Sequence, residues 1–206
     1  MTDTFDTVEK QASYGIGYQM GEQLRTNPFD GMAIDAVVAG LQDAFGGSQP
    51  KVDNDTLRNA FGEIHQRMQA AKEEASKAVI EEGNAFLAKN AERDEVSVTE
   101  SGLQYEVIAE GEGNSPKADS TVRVHYHGTL INDKVFDSSY ERGQPAEFPV
   151  NGVIKGWTEA LQMMKEGAKW RLYVPHDLAY GEQGAGGAIA PYSTLVFDVE
   201  LLDVLS

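Results

Sequence analysis

The sequence predicts a two-part α+β protein, with an N-terminal all-helical arm followed by an antiparallel sheet wrapped around one short helix. Three observations predict it. The hydrophobic period shifts from three-to-four to two near residue 98. A proline-free run from Asp53 to Arg93 keeps one apolar stripe throughout. Beyond it, short alternating segments surround a single amphipathic turn at Trp157, Ala160, Leu161 and Met164.

In chain order, Val8, Ala12, Ile16, Met20 and Leu24 form the stripe of a first helix. Ile34, Val37, Val38, Leu41 and Phe45 form that of a second, which Gly46-Gly47 and Pro50 bring to a stop. Asp53 or Asp55 can cap a third helix, whose stripe runs through Leu57, Phe61, Ile64, Met68, Ala71, Ala75, Val79 and Phe86. At 1.5 Å per residue that helix is about 60 Å long. The first two helices are too short to be stable alone, so a partner chain is expected to cover their stripes about a twofold axis. Gly15, Gly17 and Gly21 lie at costly helix-interior positions, either because a closely crossing second backbone offsets the cost or because the helix is simply flexible there.

From Ser97 the period is two. Val122, Val124 and Tyr126 share one strand face, and Arg123, His125 and His127 the other. Asn132-Asp133 turns the chain into Val135-Phe136-Asp137, and Phe148 and Val150 alternate in a further short strand. Trp170, Leu172 and Val174 mark another strand, and Leu195, Phe197, Val199 and Leu201 the last. The glycine-rich segment 175–193 between them is too long for a bare connection.

Composition excludes several classes. With no cysteine there is no disulfide or thiolate chemistry. A net charge of −16, split evenly at −8 on residues 1–98 and −8 on 99–206, lacks the clustered Lys and Arg that nucleic acid requires. The start MTDTFDTVEK has no basic-then-apolar leader pattern, and no stretch approaches a membrane span, so the cytosol is the expected compartment. Glycines in GIGYQMG and GEQGAGG lack the strand or Lys-Ser/Thr context of a nucleotide site. There is no G-x-S-x-G elbow and no HExxH. His125, His127 and His176 read as surface histidines rather than metal ligands. No metal and no cofactor are expected.

What remains is a concentration of aromatic and aliphatic groups around few polar ones: Tyr126, Phe136, Asp137, Phe148, Val153, Ile154, Trp157, Tyr180 and Phe197. Taken singly, each reads first as core. As a set, Val153-Ile154 and Trp157 project from one end of the sheet, and an acid beside Phe136 needs partners.

Residues 101–205 resemble an FKBP-type peptidyl-prolyl isomerase domain, through VRVHYHGTL, VFDSSYERG, FPVNGVIKGW, LAYGEQGAG and STLVFDVELL in that order. QASYGIGYQMGEQL and the Asp53–Arg93 helix resemble the arm of the dimeric long-helix bacterial subgroup that includes the macrophage infectivity potentiator proteins. The resemblance implies a helical dimerisation domain at 1–52, a connecting helix at 53–96 and an isomerase domain at 97–206. It also implies homodimerisation through residues 1–50 and action as a folding helper on proline-containing peptides and unfolded proteins, with macrolide inhibitors as ligands.

In such a site the proline ring would rest on Trp157, walled by Tyr126, Phe136, Phe148, Val153, Ile154 and Phe197, with Ile189 also contacting substrate. The Tyr180 hydroxyl and the Ile154 N–H would each hold a substrate carbonyl, and Asp137 would interact with the twisting amide or orient Tyr126. Ala146, Ala185 and Ala190 stand where many single-domain relatives carry larger groups, which opens the wall. A proline-docking module with incidental turnover, and a purely structural dimer, are the competing readings.

Overall fold

The computed structural model describes residues 5–205, so the first four residues of the expected arm and Ser206 lie outside the described residues. Packing divides the chain into two units, Met1–Lys72 and Glu73–Ser206.

The first unit holds α1 (Val8–Thr26), α2 (Ile34–Phe45) and the start of α3 (Asn54–Asn90). Each boundary has a local cause. The Thr7 hydroxyl accepts from Lys10 N at 3.3 Å and opens α1. Gly46 and then Gly47, at φ 70°, close α2. Asp53 is the cap of α3, accepting from Thr56 N at 2.9 Å. No described residue of α1 or α2 is buried. Ile16, Ile34 and Phe45 are 62, 59 and 96% exposed, so the apolar stripes face outward.

The second unit is a sheet in which every pairing is antiparallel. Its seven strands among the described residues are β1 (Val96–Val98), β2 (Gln104–Ala109), β3 (Thr121–Leu130), β4 (Val135–Ser138), β5 (Ala146–Pro149), β6 (Lys169–Val174) and β7 (Leu195–Val204). The order is β1-β2-β6-β7-β3-β4, with β5 sharing the outer edge of β3. β5 pairs the first half of β3, Thr121–Val124, and β4 the second half, His127–Thr129. Val150, expected to continue β5, instead opens a 3₁₀ turn at Val150–Gly152. The short helix α4 (Lys155–Met163) buries Trp157, Ala160 and Leu161 against the inner face of the sheet. Alternation holds along β3 and β7, where Val122, Val124, Val199 and Leu201 are fully buried.

The packing division falls inside α3, between the expected limits at 52/53 and 96/97. The last turns of that helix are built into the sheet unit. Gly83 lies so close to Thr194 that an added Cβ would sit 2.5 Å from its Oγ1. Phe86 meets Tyr173 at 6.0 Å between ring centroids. The Asn90 amide donates to Gln104 Oε1, and the Gln104 amide to Leu87 O, both at 2.9 Å. Tyr173 is consequently 4% exposed although alternation turns it away from the core.

Candidate active site

A cavity of about 450 Å³ opens at one end of the sheet. Its floor follows from α4. Ile154 is the last extended residue before the helix (φ −60°, ψ 151°), and its carbonyl accepts from both Trp157 N and Thr158 N at 3.0 Å. That geometry fixes Trp157 in the first turn with its indole turned inward, 4% exposed. Three rings stand edge-on to it: Tyr126 at 5.3 Å, Phe197 at 5.3 Å and Phe148 at 6.0 Å, with interplanar angles of 79–87°. Phe136 in turn meets Phe197 at 5.5 Å and 86°. Edge-to-face contacts of this kind lock ring orientation. The wall closes because Gly128 has no side chain: a Cβ there would lie 2.7 Å from Phe136 Cζ and 3.0 Å from Phe197 Cε1.

Polar groups are few and converge. Tyr126 Oη donates to Asp137 Oδ2 at 2.5 Å. Arg142 donates one guanidinium N–H to Asp137 Oδ1 and another to Tyr126 Oη, the latter at 2.8 Å. Burial pushes the Asp137 carboxyl up, but the Tyr126 hydroxyl and the Arg142 guanidinium together outweigh it and hold it below the usual carboxylate range. Burial raises Tyr126, reinforced by Asp137 and opposed by Arg142. Burial, with the Asp137 charge, also raises Tyr180. At neutral pH the site therefore holds one paired carboxylate and two protonated phenols. Tyr180 and Ile154 line the cavity, and neither the Tyr180 hydroxyl nor the Ile154 N–H has a partner among the described residues.

Nine of the ten expected site residues line this cavity, joined by Gly152. Ile189 does not line it. It is 7% exposed within the core, its main chain exchanging two 3.0 Å hydrogen bonds with Ala185. Ala146 and Ala185 pack against the core and Ala190 is exposed, and none of the three lines the cavity. Sequence reasoning missed Arg142. The only available signal was that a part-buried acid needs a cation, and Arg142 is the first one after Asp137.

The antiparallel sheet packed on one short helix thus carries an aromatic-floored cavity whose polar lining groups are one paired carboxylate and two phenols. Residues 112–202 match the profile described as FKBP-type peptidyl-prolyl cis-trans isomerase, and residues 9–107 that of the domain amino terminal to it. The chain is 53% identical over 204 residues to the FKBP-type 22 kDa peptidyl-prolyl cis-trans isomerase of Escherichia coli strain K12, covering 99% of each. It is 38% identical to the outer membrane protein MIP of Legionella longbeachae, covering 96% of this chain and 86% of that protein. The crystal structure of FkpA from Escherichia coli superposes with a TM-score of 0.73 at 36% identity, covering 98% of both chains. This chain belongs to the FKBP-type peptidyl-prolyl cis-trans isomerases, and its activity is rotation about the X-Pro bond.

Proposed function

We propose that the X-Pro bond rotates in the cavity above Trp157, and that two chains joined through their first 50 residues present two such cavities to proline-containing segments of unfolded proteins. The observation that carries the reading is the indole floor with three edge-on rings and two unpaired donors above it.

The barrier to rotation, about 18–20 kcal/mol, comes from amide resonance. The planar amide is more dipolar than the twisted one, so an apolar cavity favours the twisted form relative to the planar one. Trp157 gives the pyrrolidine a flat apolar seat, and Phe136, Phe148 and Phe197 keep water from it. The Tyr180 hydroxyl and the Ile154 N–H hold the carbonyls on either side of the ring, so that one flank stays fixed while the other turns. Asp137, clamped by Tyr126 and Arg142, sits where its charge meets the twisting amide. Binding energy is then spent on the transition state rather than on the ground state.

Dimerisation is supported by the outward apolar stripes of α1 and α2 and by the open space beside Gly15, Gly17 and Gly21, where an added Cβ would meet nothing within 4 Å. The cytosol is the proposed compartment, and subcellular fractionation tests it.

The experiment for the site is a folded Trp157→Ala variant of the full chain assayed on a short proline peptide. It should lose at least about 10-fold in kcat/KM, equal to about 1.4 kcal/mol of transition-state stabilisation. Wild-type turnover by that variant, with unchanged circular dichroism, would remove the cavity from the mechanism.

A further inference from the structure

The glycine-rich segment 175–193 carries Tyr180 to the cavity, and its two limbs are tied together by backbone bonds at two places among the described residues. Near the tip, Ala185 and Ile189 exchange two 3.0 Å hydrogen bonds. Gly184, at φ 61°, lets the limbs close there, since a Cβ would lie 2.2 Å from Ile189 O. Nearer the base, the Tyr192 N–H donates to Gly181 O at 2.7 Å. Gly181 follows Tyr180 directly, so this bond joins the limb that presents Tyr180 to the limb that runs on into β7 at Leu195.

Tyr192 makes that bond from a costly backbone conformation. Its φ is 61°, and among the described residues Asp133, at φ 63°, is the one other non-glycine with a positive value. Asp133 lies in the turn between β3 and β4, where a short polar side chain suits the left-handed region. A bulky aromatic does not suit it. Residues held in such a conformation persist where their surroundings over-determine them, and they gather at working sites.

Two contacts over-determine Tyr192. One is the 2.7 Å bond to Gly181. The other is its ring, which stands edge-on to that of His176 at 5.3 Å and 84°. His176 is well placed to anchor it. The His176 side chain is only 16% exposed, and the residue opens the 3₁₀ turn His176–Leu178, its carbonyl accepting from Ala179 N at 3.0 Å. The start and the end of the segment are therefore locked ring to ring, with Tyr180 between them. Tyr180 has no side-chain lock of its own, because its hydroxyl has no partner among the described residues. Its placement depends on the backbone beside it.

We propose that Tyr192 is a positioning residue for Tyr180. With its ring against His176 and its N–H on Gly181, it fixes the height at which the Tyr180 hydroxyl meets a substrate carbonyl. The inference rests on the cavity above Trp157 being the isomerase site and on the Tyr180 hydroxyl donating there. The lock uses the ring and the main chain of Tyr192, not its hydroxyl.

The test is a double-mutant cycle on the full chain, read by protease-free exchange NMR of a proline tetrapeptide. Tyr192→Asn keeps the N–H and tolerates the left-handed φ but loses the ring. It should lower kcat/KM about fivefold, the effect of misaligning one hydrogen bond. Tyr192→Phe keeps the ring and should turn over as wild type does. His176→Leu removes the same ring contact from the other side and should match Tyr192→Asn, so either variant that circular dichroism shows to be folded decides. Tyr180→Phe removes the hydroxyl and should itself lose about fivefold. Adding Tyr192→Asn or His176→Leu to Tyr180→Phe should then cost nothing further, because the hydroxyl they place is already gone. Full rate in a folded Tyr192→Asn or His176→Leu, a Tyr192→Phe as slow as Tyr192→Asn, or losses that add to that of Tyr180→Phe overturn the proposal. Failure of the cavity reading is seen separately, as full turnover in Trp157→Ala.

Discussion

Removing α3 from the sheet unit should weaken it by an amount that the contacts allow to be estimated. A fragment of residues 97–206 loses the Asn90–Gln104 and Gln104–Leu87 hydrogen bonds and the 2.8 Å bond from Arg93 to the Tyr173 hydroxyl. At roughly 1 kcal/mol net each these contribute about 3 kcal/mol, less whatever water restores to the vacated partners. The Phe86–Tyr173 ring contact adds about 0.5–1 kcal/mol. The Arg93–Glu106 pair, whose side chains are 38 and 23% exposed, adds less than about 1 kcal/mol. The net is a loss of about 3 kcal/mol relative to residues 73–206. Urea unfolding of the two fragments, followed by the fluorescence of Trp157 and Trp170, should place the midpoint of 97–206 lower by about 1–2 M. Its melting temperature should fall by roughly 10–15 °C. No residue in 73–96 lines the cavity, so where both fragments are folded they should turn over a short proline peptide alike. Coincident midpoints would show that the end of α3 rests on the sheet without supporting it, and the division inside α3 would lose its energetic meaning.

Sedimentation equilibrium at micromolar concentration should give about twice the 22.4 kDa chain mass. Leu41→Asp should shift it toward monomer by placing an unpaired charge in the contact. Asp137→Asn, which keeps the shape but loses the charge, should lower kcat/KM by roughly 10-fold with circular dichroism unchanged, whereas a normal rate would leave packing as the only contribution. The same variant tests linkage. The folded Asp137 pKa lies below its unfolded value, so its contribution to stability is fully present above the ordinary carboxylate value of about 3.9 and is lost as pH falls through the folded one. Below about pH 4, wild type should lose more stability on acidification than Asp137→Asn in urea titrations.

Much of this arrangement was legible before any coordinates. Helix stripes, the Asp53 cap, the stop at Gly46-Gly47 and the inward set of β3 and β7 depend on neighbours within a few residues, and a local pattern carries local physics. The cavity was legible for a related reason. Tyr126 and Phe197 occupy inward positions of strands whose period is plain, and Trp157 sits at a helix start marked by its own spacing.

Other features had no local trace. Alternation turns Tyr173 outward, and only the end of α3, more than 80 residues earlier, buries it. Ile189, which the resemblance puts against substrate, is 7% exposed and pairs through its backbone with Ala185. Arg142 is one cation among 17, and it becomes the clamp on Asp137 only because the turn after β4 swings it across Tyr126. Period and propensity follow from the backbone's own geometry, so the chain alone determined which segments are helices and strands and which faces are apolar. Which distant groups share a buried hydrogen bond depends on how those faces meet, and only the tertiary structure decided that Asp137 would be paired, Tyr126 held and Trp157 left as the floor.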